Sequence, residues 1–92
     1  MSESMSGLTE GRVVHYVLPD GPHAGEHRPA IVVKVWRQGD GSPPSNGYSN
    51  LMVFLDGSND TPTGVAHPML WATSIEFSEE PRPRTWHWIE RA

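Results

Sequence analysis

Glycine and proline interrupt this chain so often that they limit what it can fold into. Nine glycines and nine prolines make up 18 of its 92 residues, above the roughly 12% that these two residues supply in average proteins. Between the breaks, no segment keeps a 3.6-residue apolar period for longer than a turn, which argues against long helices. Four Trp, two Tyr and two Phe argue against a disordered chain. The pattern therefore indicates short strands joined by many turns.

The breaks leave several short runs that are rich in β-branched and aromatic residues. These runs lie at 12–18, 30–36, 48–55, 71–77 and 85–90. Residues of this kind are typical of β-strands. We predict an all-β fold, namely a small five-stranded antiparallel barrel of SH3-like or OB-like type, or else a strongly twisted sheet, with long Gly/Pro loops.

Alternation within the runs predicts which side chains face the core. In the second run, Ile31, Val33 and Val35 fall on one face of a strand. In the fourth run, the alternation places Trp71 inward and Ala72 outward.

Length and composition predict one domain preceded by a flexible arm. A chain of 92 residues does not divide its core, so residues 11–92 form a single small β domain. Residues 1–10 are rich in Ser and Glu and lack periodicity, so we expect a flexible N-terminal arm. The sequence has no cysteine, which excludes disulfides and thiolate ligands. Because so small a core gives a thin margin of stability, we expect stabilisation by self-association into a homo-oligomer.

The charge balance and the N-terminal composition bear on partners. The formal net charge is −4, which disfavours non-specific binding to nucleic acid. The first ten residues lack the apolar segment of a signal peptide, and the chain lacks an apolar run long enough to span a membrane. We therefore expect no membrane association and, by default, a cytoplasmic location.

The sequence lacks the motifs of several large enzyme classes. There is no Gly-x-Ser-x-Gly elbow, phosphate loop, His-Glu-x-x-His pair or dinucleotide fingerprint. His23 and His27 are four residues apart, but Gly25 and flanking prolines disfavour the helix that would bring them together, so we expect two solvated loop histidines. Asp56 and Asp60 are interpreted as solvated turn residues. These observations predict no catalytic residue, no metal site and no cofactor.

Aromatic, histidine and arginine side chains provide the candidate binding surface instead. Tryptophan and tyrosine offer stacking area with a polar group, and arginine can hold a phosphate or stack on a ring. The candidate residues are Trp36, Trp86, Trp88, His87, His15, Tyr16, Arg28 and Arg84.

Some of these aromatic residues must instead fill the core. A small barrel needs large side chains in its interior. We expect about half of the four tryptophans to be buried. Trp36 and one of Trp86 or Trp88 are expected on an exposed or interfacial face.

The segment from Gly21 to Val33, which follows the run Gly11-Arg-Val-Val, resembles the N-terminal third of the MazF/PemK-type toxin barrels. The matching features are a loop containing Gly and Glu that leads into an Arg-Pro-Ala-hydrophobic strand. The resemblance implies roles in RNA cleavage for Glu26 and Arg28. No counterpart of the family's catalytic Thr or Ser is present, and the Trp-rich C-terminus is foreign to the family.

The C-terminal run Thr85-Trp-His-Trp-Ile-Glu resembles a group of small uncharacterised phage and prophage proteins that end in a Thr-Trp-His-Trp-x-Glu strand. The resemblance implies a phage context, in the host cytoplasm or in the virion, without implying an activity.

Three functions follow as alternatives. The first is a non-catalytic, self-associating phage-type accessory protein that binds a phage or host protein, or a small polar ligand such as a nucleotide-derived signal, through the Trp/Arg/His surface. The second is a virion decoration or connector subunit. The third is a MazF/PemK-like endoribonuclease.

Overall fold

The computed structural model describes residues 5–60 and 69–90, apart from the side chain of Ser58. Within these residues the chain is all-β and closes into a barrel with the strand order β1-β2-β3-β4-β5. The strands are β1 (Val13–Val17), β2 (His27–Val35), β3 (Ser49–Phe54), β4 (Met69–Phe77) and β5 (Thr85–His87). A short 3-10 turn, Gly57–Asn59, follows β3. The predicted all-β barrel is thus confirmed, and each of the five strands overlaps one of the predicted runs.

The barrel closes through the first and last strands. β5 pairs antiparallel with β1, so that His15 lies opposite His87 and Tyr16 opposite Trp86. The other edge of β5 pairs with β4 in the parallel direction, so the expectation of an entirely antiparallel barrel is wrong for this one pair. Neighbouring strands follow one another in sequence, which differs from the Greek-key order of an OB-fold.

Trp86 occupies the centre of the core. Its indole is fully buried, and its Nε1 donates a hydrogen bond to the carbonyl of Gly47 at 2.9 Å. A Cβ on Gly47 would lie 2.8 Å from atoms of both Phe77 and Trp86, and the φ of Gly47 is +69°. Only glycine permits so close an approach of this loop to the indole.

Two β-bulges explain why simple alternation failed in β2 and β4. Between Ala72 and Ile75, β4 holds one residue more than β3 holds opposite it, so that both of these side chains are buried and Trp71 is 49% exposed. β2 has a similar extra residue at Val33, which is 44% exposed. The predicted inward position of Trp71 is therefore wrong, and so is the prediction that Ile31, Val33 and Val35 share one face, because Val35 is buried and Val33 is not. An extra residue reverses the facing of every side chain beyond it.

The predicted flexible N-terminal arm is wrong for residues 5–10. Met5 and Leu8 belong to the core cluster, with exposed fractions of 7% and 2%. The Glu10 carboxylate accepts a hydrogen bond from the backbone N–H of Val35 at 3.0 Å and pairs with Arg37 at 2.8 Å. The backbone bond, together with Arg37, lowers the pKa of Glu10 to about 2. Residues 1–4 lie outside the described residues.

No helix among the described residues is long and apolar enough to cross a membrane.

Candidate metal centre

Three strands bring three histidines together on the outside of the barrel. His15 alternates along β1 with the buried Val14 and Tyr16, so its ring faces away from the core. The pairing of β1 with β5 sets His87 directly opposite His15. His27 opens β2, the strand on the other side of β1. The ring centroids are 5.9 Å apart for His15 and His87, 6.2 Å for His15 and His27, and 4.6 Å for His27 and His87.

The carboxylate of Glu90 lies between these three rings. It comes from the segment after β5, three residues beyond His87. Its oxygens are 2.5 Å from Nδ1 of His15, 2.7 Å from Nδ1 of His27 and 2.9 Å from Nε2 of His87. One potential ligand atom from each of the four side chains lies within 4.8 Å of all the others. We call these residues the His3Glu cluster.

The carboxylate of the cluster is ionised at neutral pH. Burial alone would raise the pKa of Glu90, but a backbone hydrogen bond and the hydrogen bond with His15 outweigh this effect and bring the pKa to about 2. An ionised carboxylate and three imidazoles carry one negative charge when the rings are neutral, which suits a divalent cation.

His87 is the cluster's least satisfied member. The residue is 6% exposed, and neither of its ring nitrogens makes a hydrogen bond to any of the described residues. Its Nε2 is close to Glu90, but the direction of approach does not make a hydrogen bond. A buried polar group without a partner costs about 1–3 kcal/mol. A metal ion at this point would satisfy the imidazole, whose Nε2 otherwise has only the misdirected contact with Glu90.

The donor set favours a transition metal. Imidazole nitrogen with a carboxylate oxygen suits Zn²⁺, and imidazole is also a good ligand for Cu, Fe and Ni. Tetrahedral zinc bonds of about 2.0–2.1 Å place neighbouring ligand atoms roughly 3.3 Å apart. Because the separations in the cluster do not exceed 4.8 Å, small side-chain rotations would close the shell around an ion.

A shallow cleft adjoins the cluster. It has a volume of about 220 Å³ and is lined by Phe77, Glu79, His87, Trp88 and Glu90. Its aromatic wall is supported from inside, because the ring of Trp88 packs edge to face against Trp86 with centroids 4.9 Å apart.

The predicted binding tryptophans do not form one surface. Trp86 is buried, Trp88 is half-buried beside the cluster, and Trp36 is 44% exposed. The indole N–H of Trp36 is held by Asn50 at 3.0 Å, and the Lys34 ammonium lies 4.8 Å from the centre of its ring.

Tyr16 and Arg84 lie apart from the histidines. Tyr16 is 1% exposed, and burial raises the pKa of its phenol. Arg84 is exposed and lines a different cleft, between Tyr16 and Trp71.

Arg28 is engaged in a buried ion pair. Its Nε and a terminal nitrogen donate to the two oxygens of Asp60 at 2.6 and 2.8 Å, and it also binds Glu26 at 3.0 Å. The side chain of Asp60 is fully buried and also contacts His23 Nδ1 at 3.0 Å. The prediction of Asp60 as a solvated turn residue is therefore wrong. The hydrogen bond from Arg28 holds the pKa of Asp60 well below its usual range.

Sequence reasoning named two of the four cluster residues. His15 and His87 were candidates. His27 was considered only together with His23, but in the structure His23 contacts Asp60. Glu90 was not considered. A usable signal was present, because a closed barrel must bring its first and last strands together. That closure pairs the histidine of β1 with the histidine of β5.

Comparisons with protein-family models, with curated proteins and with solved structures find no match for this chain.

Proposed function

We propose that this protein is a non-catalytic accessory protein that binds a divalent transition-metal ion, Zn²⁺ in the first instance, in the His3Glu cluster. The observation that carries this proposal is the buried imidazole of His87, which makes no hydrogen bond within residues 5–60 and 69–90 and lies beside two other imidazoles and an ionised carboxylate. A metal ion would satisfy its donor atom and remove the cost of burying it unpaired.

The number of ligands favours binding over catalysis. Zinc sites with four protein ligands are typically structural, whereas catalytic sites have three and keep a position for water. The cluster offers four ligands from the described residues. They come from β1, β2, β5 and the segment after β5, so an ion would also fasten the three-residue strand β5 to the barrel.

Isothermal titration calorimetry of the purified, chelator-treated protein tests this proposal. We expect one Zn²⁺ per chain and a loss of zinc affinity of about 100-fold or more in His87→Ala and His27→Ala. Removing a residue that only hydrogen-bonds to a metal ligand already lowers metal affinity by about 10–100-fold, and removing the ligand itself should cost at least as much. The matched control is His23→Gln, which removes a histidine outside the cluster and should keep the wild-type affinity. The proposal fails if the wild-type protein binds no metal, or if the control loses as much affinity as the cluster variants.

An apolar row on the outer face favours self-association as a second property. The strand registers align Val13, Ile31, Met52 and Trp71 side by side across four strands. Val13 and Trp71 are 41% and 49% exposed. The row contains no charged residue, so a second copy that presents the same row is a matching partner, and contiguous exposed apolar surface is typical of interfaces.

The phage context and the two other functions remain proposals of lower rank. A virion subunit would use the same apolar row against neighbouring copies. For the ribonuclease, the commitment of Arg28 to Asp60 and Glu26 weighs against a free guanidinium for RNA. Incubation with single-stranded RNA, with Arg28→Ala as the control, tests this alternative directly.

A further inference from the structure

The cleft beside the His3Glu cluster shares two residues with it. His87 and Glu90 belong to both, and Phe77, Glu79 and Trp88 complete the cleft. A molecule in the cleft would therefore lie against the ligands of the ion. The indole of Trp88 and the phenyl ring of Phe77 form the apolar side, and both pack against the buried Trp86 behind them.

Glu90 differs from the other three ligands in how firmly it is placed. The histidines belong to paired strands, and their side chains are 27%, 28% and 8% exposed for His15, His27 and His87. Glu90 lies beyond the end of β5, and its side chain is 48% exposed. It is therefore the ligand that an incoming donor atom can displace with the least rearrangement of the barrel.

Charge and size limit what can enter. Two carboxylates, Glu79 and Glu90, line the cleft, and together they balance the two positive charges of a divalent ion. An anionic ligand would therefore gain no net electrostatic attraction in the cleft. The volume of about 220 Å³ is below the 300–1,000 Å³ of pockets that hold drug-sized molecules, so it suits a single ring rather than a whole nucleotide.

We propose that the metal-loaded cluster binds a neutral nitrogen-containing aromatic ring, of the imidazole, pyridine or nucleobase kind, in this cleft. The ring nitrogen replaces the Glu90 carboxylate on the ion, and the ring packs against Trp88. This inference rests on the proposed metal binding. It adds that the ion serves as a receptor for an exchangeable ligand, in addition to fastening β5.

Visible spectroscopy of the Co²⁺-loaded protein tests the inference with 1-methylimidazole as the probe. The d–d absorption of Co²⁺ reports a change in its ligands. We expect a saturable spectral change with 1-methylimidazole, and at least tenfold weaker binding of azide, a small anion. A Co²⁺ spectrum that does not respond to 1-methylimidazole overturns this inference while leaving the metal site established. Failure to bind Co²⁺ or Zn²⁺ overturns the proposed function itself.

Two variants locate the ring. Trp88→Leu should weaken 1-methylimidazole by about two- to tenfold, the range of aromatic pair contacts, and leave the Co²⁺ affinity within about threefold of wild type. Glu79→Gln removes an exposed charge from the cleft and is not expected to disturb folding. It should strengthen azide binding and leave 1-methylimidazole unchanged. If neither variant changes the binding of its probe, the ring does not occupy this cleft and the inference is wrong.

Discussion

Replacing His87 by leucine should stabilise the metal-free protein and abolish its response to zinc. Leucine fills a similar space without a polar atom. In the metal-free state the imidazole of His87 is 6% exposed and its nitrogens make no hydrogen bond to the described part of the chain. The substitution therefore removes a penalty and loses only the misdirected 2.9 Å contact of Nε2 with Glu90.

The size of both effects follows from the structure. An unpaired buried polar group costs about 1–3 kcal/mol, so His87→Leu should raise the free energy of unfolding by about 1–2 kcal/mol without metal. In a domain of this size each kcal/mol raises Tm by about 4–8 °C. Zinc at 1,000 times its Kd stabilises the wild-type protein by about 4 kcal/mol. The His87→Leu variant should therefore be more stable than the wild type without metal and less stable than the wild type with zinc.

Thermal and urea unfolding, each with EDTA and with zinc, measure these effects. His15→Leu is the matched control, because His15 is more exposed and its Nδ1 is bonded to Glu90 at 2.5 Å. This control should lose the zinc response without gaining stability in EDTA. The reasoning is refuted if His87→Leu is less stable than the wild type in EDTA, since that result would mean the imidazole is well satisfied without metal.

Three further substitutions test the rest of the fold. Gly47→Ala should destabilise the protein by at least about 2 kcal/mol in urea unfolding, because the positive φ and the clash with Trp86 both carry a cost; Gly41→Ala, with φ +87° and open space around its Cβ, is the control. Asp60→Asn should cost about 3 kcal/mol at pH 7. Because the folded-state pKa of Asp60 is lowered, its contribution is complete above about pH 4 and is lost as the pH falls further, so the gap between variant and wild type should narrow toward pH 2. Trp71→Lys should shift sedimentation toward the monomer, whereas Trp36→Lys, at a similar exposed fraction of 44%, should not.

The elements of this fold were predictable because glycine and proline isolate them. Each β-branched run between two breaks became a strand, and no boundary moved by more than three residues. The facing of side chains was less predictable. The bulge in β4 depends on Asn50, whose Oδ1 accepts a hydrogen bond from the backbone N–H of Ser74 at 2.8 Å across the strands. No local pattern in the fourth run indicates this contact.

The candidate site was half predictable for a similar reason. His15 and His87 were named for their polarity beside aromatic residues, but the cluster depends on which strands become neighbours. β1 lies between β2 and β5 only once the barrel closes, and this closure adds His27 and Glu90. The ion pair of Arg28 with Asp60 was unpredictable for the same reason, because the carboxylate comes from a loop 32 residues away in the sequence.

X-ray absorption of the zinc-loaded protein tests the central claim most directly. We predict one tightly bound zinc ion with only nitrogen and oxygen ligands at about 2.0–2.1 Å, with the outer-shell scattering of three imidazoles, and with that scattering reduced to two imidazoles in His15→Ala. Zinc bound with one imidazole or none would contradict a metal centre built from His15, His27, His87 and Glu90.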